Sequence, residues 1–185
     1  MRVFAALPLP DEAVRALRPL ATALGARWSG LRPVRTEGLH LTLHFFGEVD
    51  EGGVRSLVGL WKDPALRGPA PAVSFGELGR FPERGSPRVV WIGFGEGAER
   101  VCAFQRLLES RIAALGFRED PRGFSPHVTL ARAGTTALPS GLLEGFAPPR
   151  LDFVFGECVL FQSILGPRGP TYVPLATVTF DRGDR

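Results

Sequence analysis

Apolar residues recur along the chain in two rhythms. Val3-Phe4-Ala5-Ala6-Leu7 is a short unbroken apolar run and reads as a buried strand. Pro10, Asp11 and Glu12 then suit a helix start, because proline needs no amide partner there and acids face the positive end of the dipole. Val14, Leu17, Ala21 and Leu24 follow at helical spacing, and Gly25 is placed to end that helix. Around residue 40 the period drops to two: Leu39, Leu41, Leu43 and Phe45 share one face of a strand, His40, Thr42 and His44 the other. From Asp50 to about Leu66 the pattern is helical again, with Val54, Leu57, Leu60 and Trp61 inward. Residues 73–78 and 88–94 read as strands, separated by the polar turn Pro82-Glu83-Arg84-Gly85-Ser86-Pro87. Val101, Phe104, Leu108, Ile112 and Leu115 trace a helix face that Gly116 closes. Residues 151–165 and 172–180 are β-rich and joined by Gly166-Pro167-Arg168-Gly169-Pro170, a hairpin or wide loop. The Pro- and Gly-rich stretches 64–72 and 139–149 read as connectors.

These elements repeat. His40-Leu41-Thr42-Leu43 returns as His127-Val128-Thr129-Leu130, an offset of 127 − 40 = 87, and the same offset lays Val3–Leu7 over Val90–Phe94. Each half therefore reads strand, helix, then a strand carrying a histidine. A matching unit around a matching tetrapeptide points to duplication. The expected fold class is α+β, built on this duplication.

Composition changes this picture little. The hydrophobic fraction of 44% allows an ordinary packed core. No apolar run approaches bilayer-spanning length and the N-terminus lacks a signal pattern, so no membrane is involved and a cytoplasmic location is expected. The two cysteines, Cys102 and Cys158, make no disulfide framework and read as buried thiols. A net charge of +3 and a pI near 9.5 hint at a polyanionic partner and no more. Lys62 is the sole lysine and sits at a helix end. With no P-loop either, ATP-dependent ligation through a covalent lysine is excluded.

The paired His and Thr rows suit cyclic phosphate chemistry. Hydrolysis needs a base for water and an acid for the departing ribose oxygen, in line on opposite sides of phosphorus. Imidazole serves either role near neutrality, its free pKa being about 6.5. A hydroxyl two residues on, on the same face, donates to a non-bridging phosphate oxygen. No metal or other cofactor is required. A His40/His44 metal site is disfavoured because no carboxylate or cysteine of matching spacing completes it.

The sequence resembles the two-histidine phosphoesterase superfamily, in its branch of RNA 2′,3′-cyclic phosphodiesterases, also called 2′-5′ RNA ligases. The resemblance spans nearly the whole chain. It rests on residues 2–6, on Leu39–Leu43 with Phe45-Phe46-Gly47-Glu48-Val49, on Phe81-Pro82 and 88–93, on Ser125–Arg132, and on Leu160, Ser163, Gly166, Tyr172 and Leu175. It implies a bilobal, pseudo-twofold fold in which two antiparallel sheets line a central groove with helices outside. By the same resemblance, residues 1–185 would form a single two-lobed domain, each lobe supplying one His-x-Thr motif. It also implies RNA ends or nucleotides bearing 2′,3′-cyclic phosphate as partners, a 2′-phosphate product, His40 as acid and His127 as base. Thr42 and Thr129 would hold phosphate oxygens, and the chain is expected to act as a monomer. Arg132 matches a phosphate-binding position of the family. Strict alternation puts it on the core face, so it reaches the groove only if the strand ends or bulges after Leu130; the alternative is a solvated strand-end arginine. His44 stands where the family commonly has lysine; sharing the face of His40, it belongs either to the groove rim or to the solvated surface. Phe46, Phe81 and Tyr172 are candidates to stack a base, with core packing the default for each. Arg80, Arg84 and Arg88 either track an RNA backbone or form a solvated loop. The rival readings are 2′-5′ RNA ligation or 2′-5′ oligonucleotide cleavage by the same chemistry, and a non-catalytic RNA- or nucleotide-binding module.

Overall fold

The computed structural model describes all residues except 119–122, 135–136, 168 and 182–185. The first repeat consists of β1 (Arg2–Pro8), α1 (Asp11–Arg27), β2 (Leu31–Pro33) and β3 (His40–Glu48). Helix α2 (Glu51–Leu60) and a short 3-10 turn (Pro64–Arg67) lead into β4 (Ala72–Phe81). The second repeat is β5 (Val89–Phe94), α3 (Ala98–Ala114) and β6 (His127–Ala133). The chain ends in β7 (Asp152–Val154), β8 (Glu157–Gly166) and β9 (Gly169–Thr179).

The strands pair antiparallel in the order β7-β4-β5-β6-β3-β1-β8-β9, with β2 added beside β6. Each repeat thus centres its first strand between its own histidine strand and a strand from outside the repeat. The two expected sheets are wings of one path, and they meet at β3 and β6 through the single register pair Leu41–Val128.

Beneath the sheet lies one apolar cluster containing Leu17 and Leu24 of α1, Leu41, Leu57, Ile92, Leu108 and Ile112 of α3, and Leu130, all fully buried. Each such side chain contributes about 1.5–3 kcal/mol relative to exposure. The helices cross between repeats. α1 packs against β2 and β6, while α3 packs against β4 and touches β3 through His44 and Glu109. The motif strands are therefore each backed by the other repeat's helix.

Several boundaries differ from the sequence expectation. Gly25 does not end α1, which runs on to Arg27; a Cβ at Gly25 would lie 2.7 Å from Pro33 Cγ, so glycine serves close helix-to-strand approach. Leu115 is the exposed C-cap of α3, not its last core position. The helical stretch 50–66 breaks after Leu60 because Asp63, followed by Pro64, caps a new 3-10 turn. Cys158 is buried and Cys102 half-buried, and both are free. No described helix is long and apolar enough to cross a membrane.

Candidate active site

The two motif strands adjoin, so extending the Leu41–Val128 register by one residue sets His40 opposite Thr129 and Thr42 opposite His127. All four are half-buried on the face opposite the fully buried Leu41 and Val128. Each imidazole is oriented by its own chain. His40 Nδ1 donates to the Gly38 carbonyl at 2.7 Å and His127 Nδ1 to the Ser125 carbonyl at 2.8 Å. Carbonyls only accept, so both Nδ1 atoms carry the proton and Nε2 is left for chemistry. Thr42 Oγ1 donates to His40 Nε2 at 3.1 Å.

Aromatic rings hold each histidine in place. Phe4 lies 5.1 Å from His40, and Tyr172 meets it edge-on at 5.2 Å. Trp91 lies 5.9 Å from His127, and Phe81 meets it edge-on at 5.3 Å. Phe4 and Trp91 are themselves related by the 87-residue offset (91 − 4 = 87), as are Gly38 and Ser125 (125 − 38 = 87). That offset was the signal available in the sequence for the ring supports and carbonyl anchors, which motif reading alone passes over.

Past each threonine the strand alternation breaks. In β3, Thr42 pairs with Ala6 and His44 with Ala5, so Leu43 is an extra residue. In β6, Thr129 pairs with Trp91 and Ala131 with Val90, so Leu130 is extra, again 87 residues on. A bulge of this kind reverses the side-chain alternation beyond it. Arg132 consequently turns out of the core and is exposed, as the bulge alternative required. Phe45 is likewise turned out, 45% exposed and stacked on Phe4, where alternation had placed it in the core.

The same reversal corrects two other expectations. His44 is neither at the groove rim nor at the surface. It is 4% exposed beneath the sheet, its Nδ1 2.7 Å from Glu109 Oε1, and Gln105 donates to the same oxygen. Phe46 packs on His44 and Phe117 in the core, away from the groove. Tyr172 does lie in the site, against His40 and the Gly38 backbone. Of the loop arginines, Arg80 donates to the Pro82 and Gly85 carbonyls and Arg88 to that of Gly134, so both brace the loop; Arg84 is exposed in it.

Electrostatically the site is tuned against a proton on His40. Burial pushes its pKa down to about 4; the Gly38 bond opposes this, and the nearby charges of Arg132 and His127 add to it. Burial also raises the Tyr172 hydroxyl, with Arg132 and Arg2 pulling the other way. Among the described residues no group of three His, Cys, Asp or Glu side chains converges as a metal ligand set.

Relatives carry the same frame. Residues 7–91 and 94–172 match the family profile described as LigT like Phosphoesterase. The RNA 2′,3′-cyclic phosphodiesterase of Archaeoglobus fulgidus is 33% identical over 187 residues, covering 95% of this chain and 98% of that protein. The protein of the same name from Methanothermobacter thermautotrophicus is 36% identical, covering 95% and 96%. Among solved structures, a Thermus thermophilus protein superposes with a TM-score of 0.80 at 29% identity over 100% of both chains. Escherichia coli LigT complexed with 3′-AMP superposes at 0.75 and 26%, over 98% of both. With a profile matched across most of its length and relatives above 30% identity over nearly all of it, the chain belongs to the LigT-like phosphoesterase family.

Proposed function

We propose that the chain is a hydrolase that opens 2′,3′-cyclic phosphates on RNA ends or nucleotides to 2′-phosphates, without a metal. The observation that carries this reading is the pair of His-x-Thr motifs facing one another across Leu41–Val128, each imidazole with its Nδ1 proton committed to a carbonyl. The names of the Archaeoglobus and Methanothermobacter relatives agree with it.

In the proposed step, His127 Nε2 takes a proton from water and the water oxygen attacks phosphorus. The P–O3′ bond breaks opposite, and O3′ receives the proton held by His40 Nε2. Thr42 and Thr129 hydroxyls donate to the two non-bridging oxygens, and Arg132 adds positive charge beside them. A neutral His40 cannot serve as acid. The phosphate anion supplies the missing counter-charge, raising the His40 pKa so that the ring takes up a proton from solvent as substrate binds. Both motifs come from one chain, so a monomer suffices, and the two lobes act as one catalytic domain.

The test is a short RNA ending in 2′,3′-cyclic phosphate, incubated with the protein in EDTA, with 2′- and 3′-phosphate products resolved. A 2′-phosphate product is expected, with His40→Ala and His127→Ala each slowing turnover by about 10²–10⁴-fold while remaining folded. Turnover surviving either change would sink the acid–base assignment, and inhibition by EDTA would implicate a metal.

A further inference from the structure

The duplication is imperfect in one place. On the first wing, the groove face beside Phe4 is filled: Ala6 and its partner Val159 are 0% and 2% exposed, and Phe161 stacks on Phe4. On the second wing the corresponding positions are stripped of side chains. Trp91 stands where Phe4 does and Gly93 where Ala6 does (93 − 6 = 87), while Gly79 pairs with Trp91 as Phe161 pairs with Phe4. The neighbouring strand also gains a residue there. Phe75 pairs with Phe94 and Leu78 with Ile92, leaving Gly76 and Glu77 together opposite Gly93.

The result is a cavity of about 450 Å³ lined by Gly76, Glu77, Trp91, Gly93, Ser125 and Pro126, among others. It adjoins the catalytic centre, for Trp91 packs on His127 and the Ser125 carbonyl accepts the His127 Nδ1 proton. Glycine backbone and an aromatic wall make a flat, largely apolar slot, which suits a planar base. Among the described residues lining it, the one that carries a charge is the exposed Glu77. In a chain of net charge +3 that handles phosphates, a carboxylate beside the catalytic groove repels the backbone of the substrate. It becomes favourable only against a ligand edge made of donors.

We propose that this cavity is a nucleobase subsite, with Glu77 reading the Watson–Crick edge of guanine. Guanine presents adjacent N1–H and N2–H donors that one carboxylate accepts together. Uracil presents a single N3–H between two carbonyl oxygens, which a carboxylate repels. The base belongs either to the nucleotide bearing the phosphate or to its neighbour in the strand, and the chemistry of recognition is the same. The proposal rests on the RNA-end reading above and adds a preference to it.

Two measurements separate the ideas. Calorimetric binding of guanosine and uridine 2′-monophosphates, and of 2′-phosphorylated dinucleotides with guanine or uracil in the penultimate position, tests the subsite. A guanine preference of about tenfold or more is expected in one of the two sets. Its appearance in the first identifies the terminal base, and in the second alone the neighbouring base. Glu77→Gln and Glu77→Lys, both at an exposed position, should bring that ratio close to unity. No guanine preference in either set, or a preference that survives both substitutions, overturns the subsite. Turnover of guanosine 2′,3′-cyclic phosphate, and of guanine-containing RNA ending in a cyclic phosphate, by the unaltered protein is followed separately. Its absence, with the guanine ratio intact, overturns the hydrolase reading and leaves the subsite standing.

Discussion

At the scale of the residue, the informative group is His40. Its ring is held neutral by burial, by Arg132 and by His127, and its pKa sits at about 4 instead of the usual 6.5. The unfolded chain therefore binds a proton at this ring between pH 6.5 and 4 that the folded protein refuses. Stability from this ring is fully present above about pH 6.5 and is lost as pH falls toward 4. Followed by NMR, the His40 ring signals should titrate near pH 4 in the free protein and move to higher pH when inorganic phosphate is added. A midpoint that phosphate leaves in place would remove the coupling between anion binding and protonation. Cys158, by contrast, is a buried thiol whose pKa is raised by burial, so it stays protonated and inert.

At the scale of the element, alternation along a strand decides which side chains reach the groove, and both motif strands interrupt it just past the threonine, β3 a second time at Phe46. The extra residues Leu43 and Leu130 sit one position after each threonine and reverse the facing of the residues beyond them. In one strand the reversal exposes Arg132; in the other it buries His44 against Glu109, whose second oxygen is buried without a partner. The ring supports are just as dependent on neighbours. A Cβ at Gly79 would lie 2.1 Å from the Trp91 indole, which packs on His127. Gly79→Ala should accordingly cost about 1–3 kcal/mol of stability by overpacking. It should also lower kcat more than it raises KM, because His127 is displaced while phosphate contacts from the other wing remain. Denaturant melts and steady-state kinetics on the same preparation check both halves of this.

At the scale of the molecule, two copies of one unit are joined edge to edge through Leu41–Val128, and each motif strand rests on the other copy's helix or a side chain from it. Neither wing is expected to be competent alone, since the proposed acid and base, His40 and His127, lie on opposite sides of the join. Groups acting as a unit are not additive when removed. The variant with both His40→Ala and His127→Ala should therefore be no slower than the slower single variant, by single-turnover measurement. Multiplication of the two losses would mean that the histidines contribute to the transition state independently and not as a unit.

Much of this was legible in the chain. The 87-residue repeat, the order of strands and helices, the shared face of His40 with Thr42 and of His127 with Thr129, and the family resemblance all arise from local spacing. Such features survive because periodicity and motif spacing are properties of a single segment. What lay beyond the sequence depended on pairing between segments. The fates of His44, Phe45, Phe46 and Arg132 turn on bulges, which exist only relative to a partner strand. Gly25 reads as a helix stop until Pro33 is seen against it. The neutral state of His40 needs the burial and the Arg132 charge that folding brings to it. Spacing along the chain determined which residues are proposed to carry the chemistry, and only the register between strands decided which way they point.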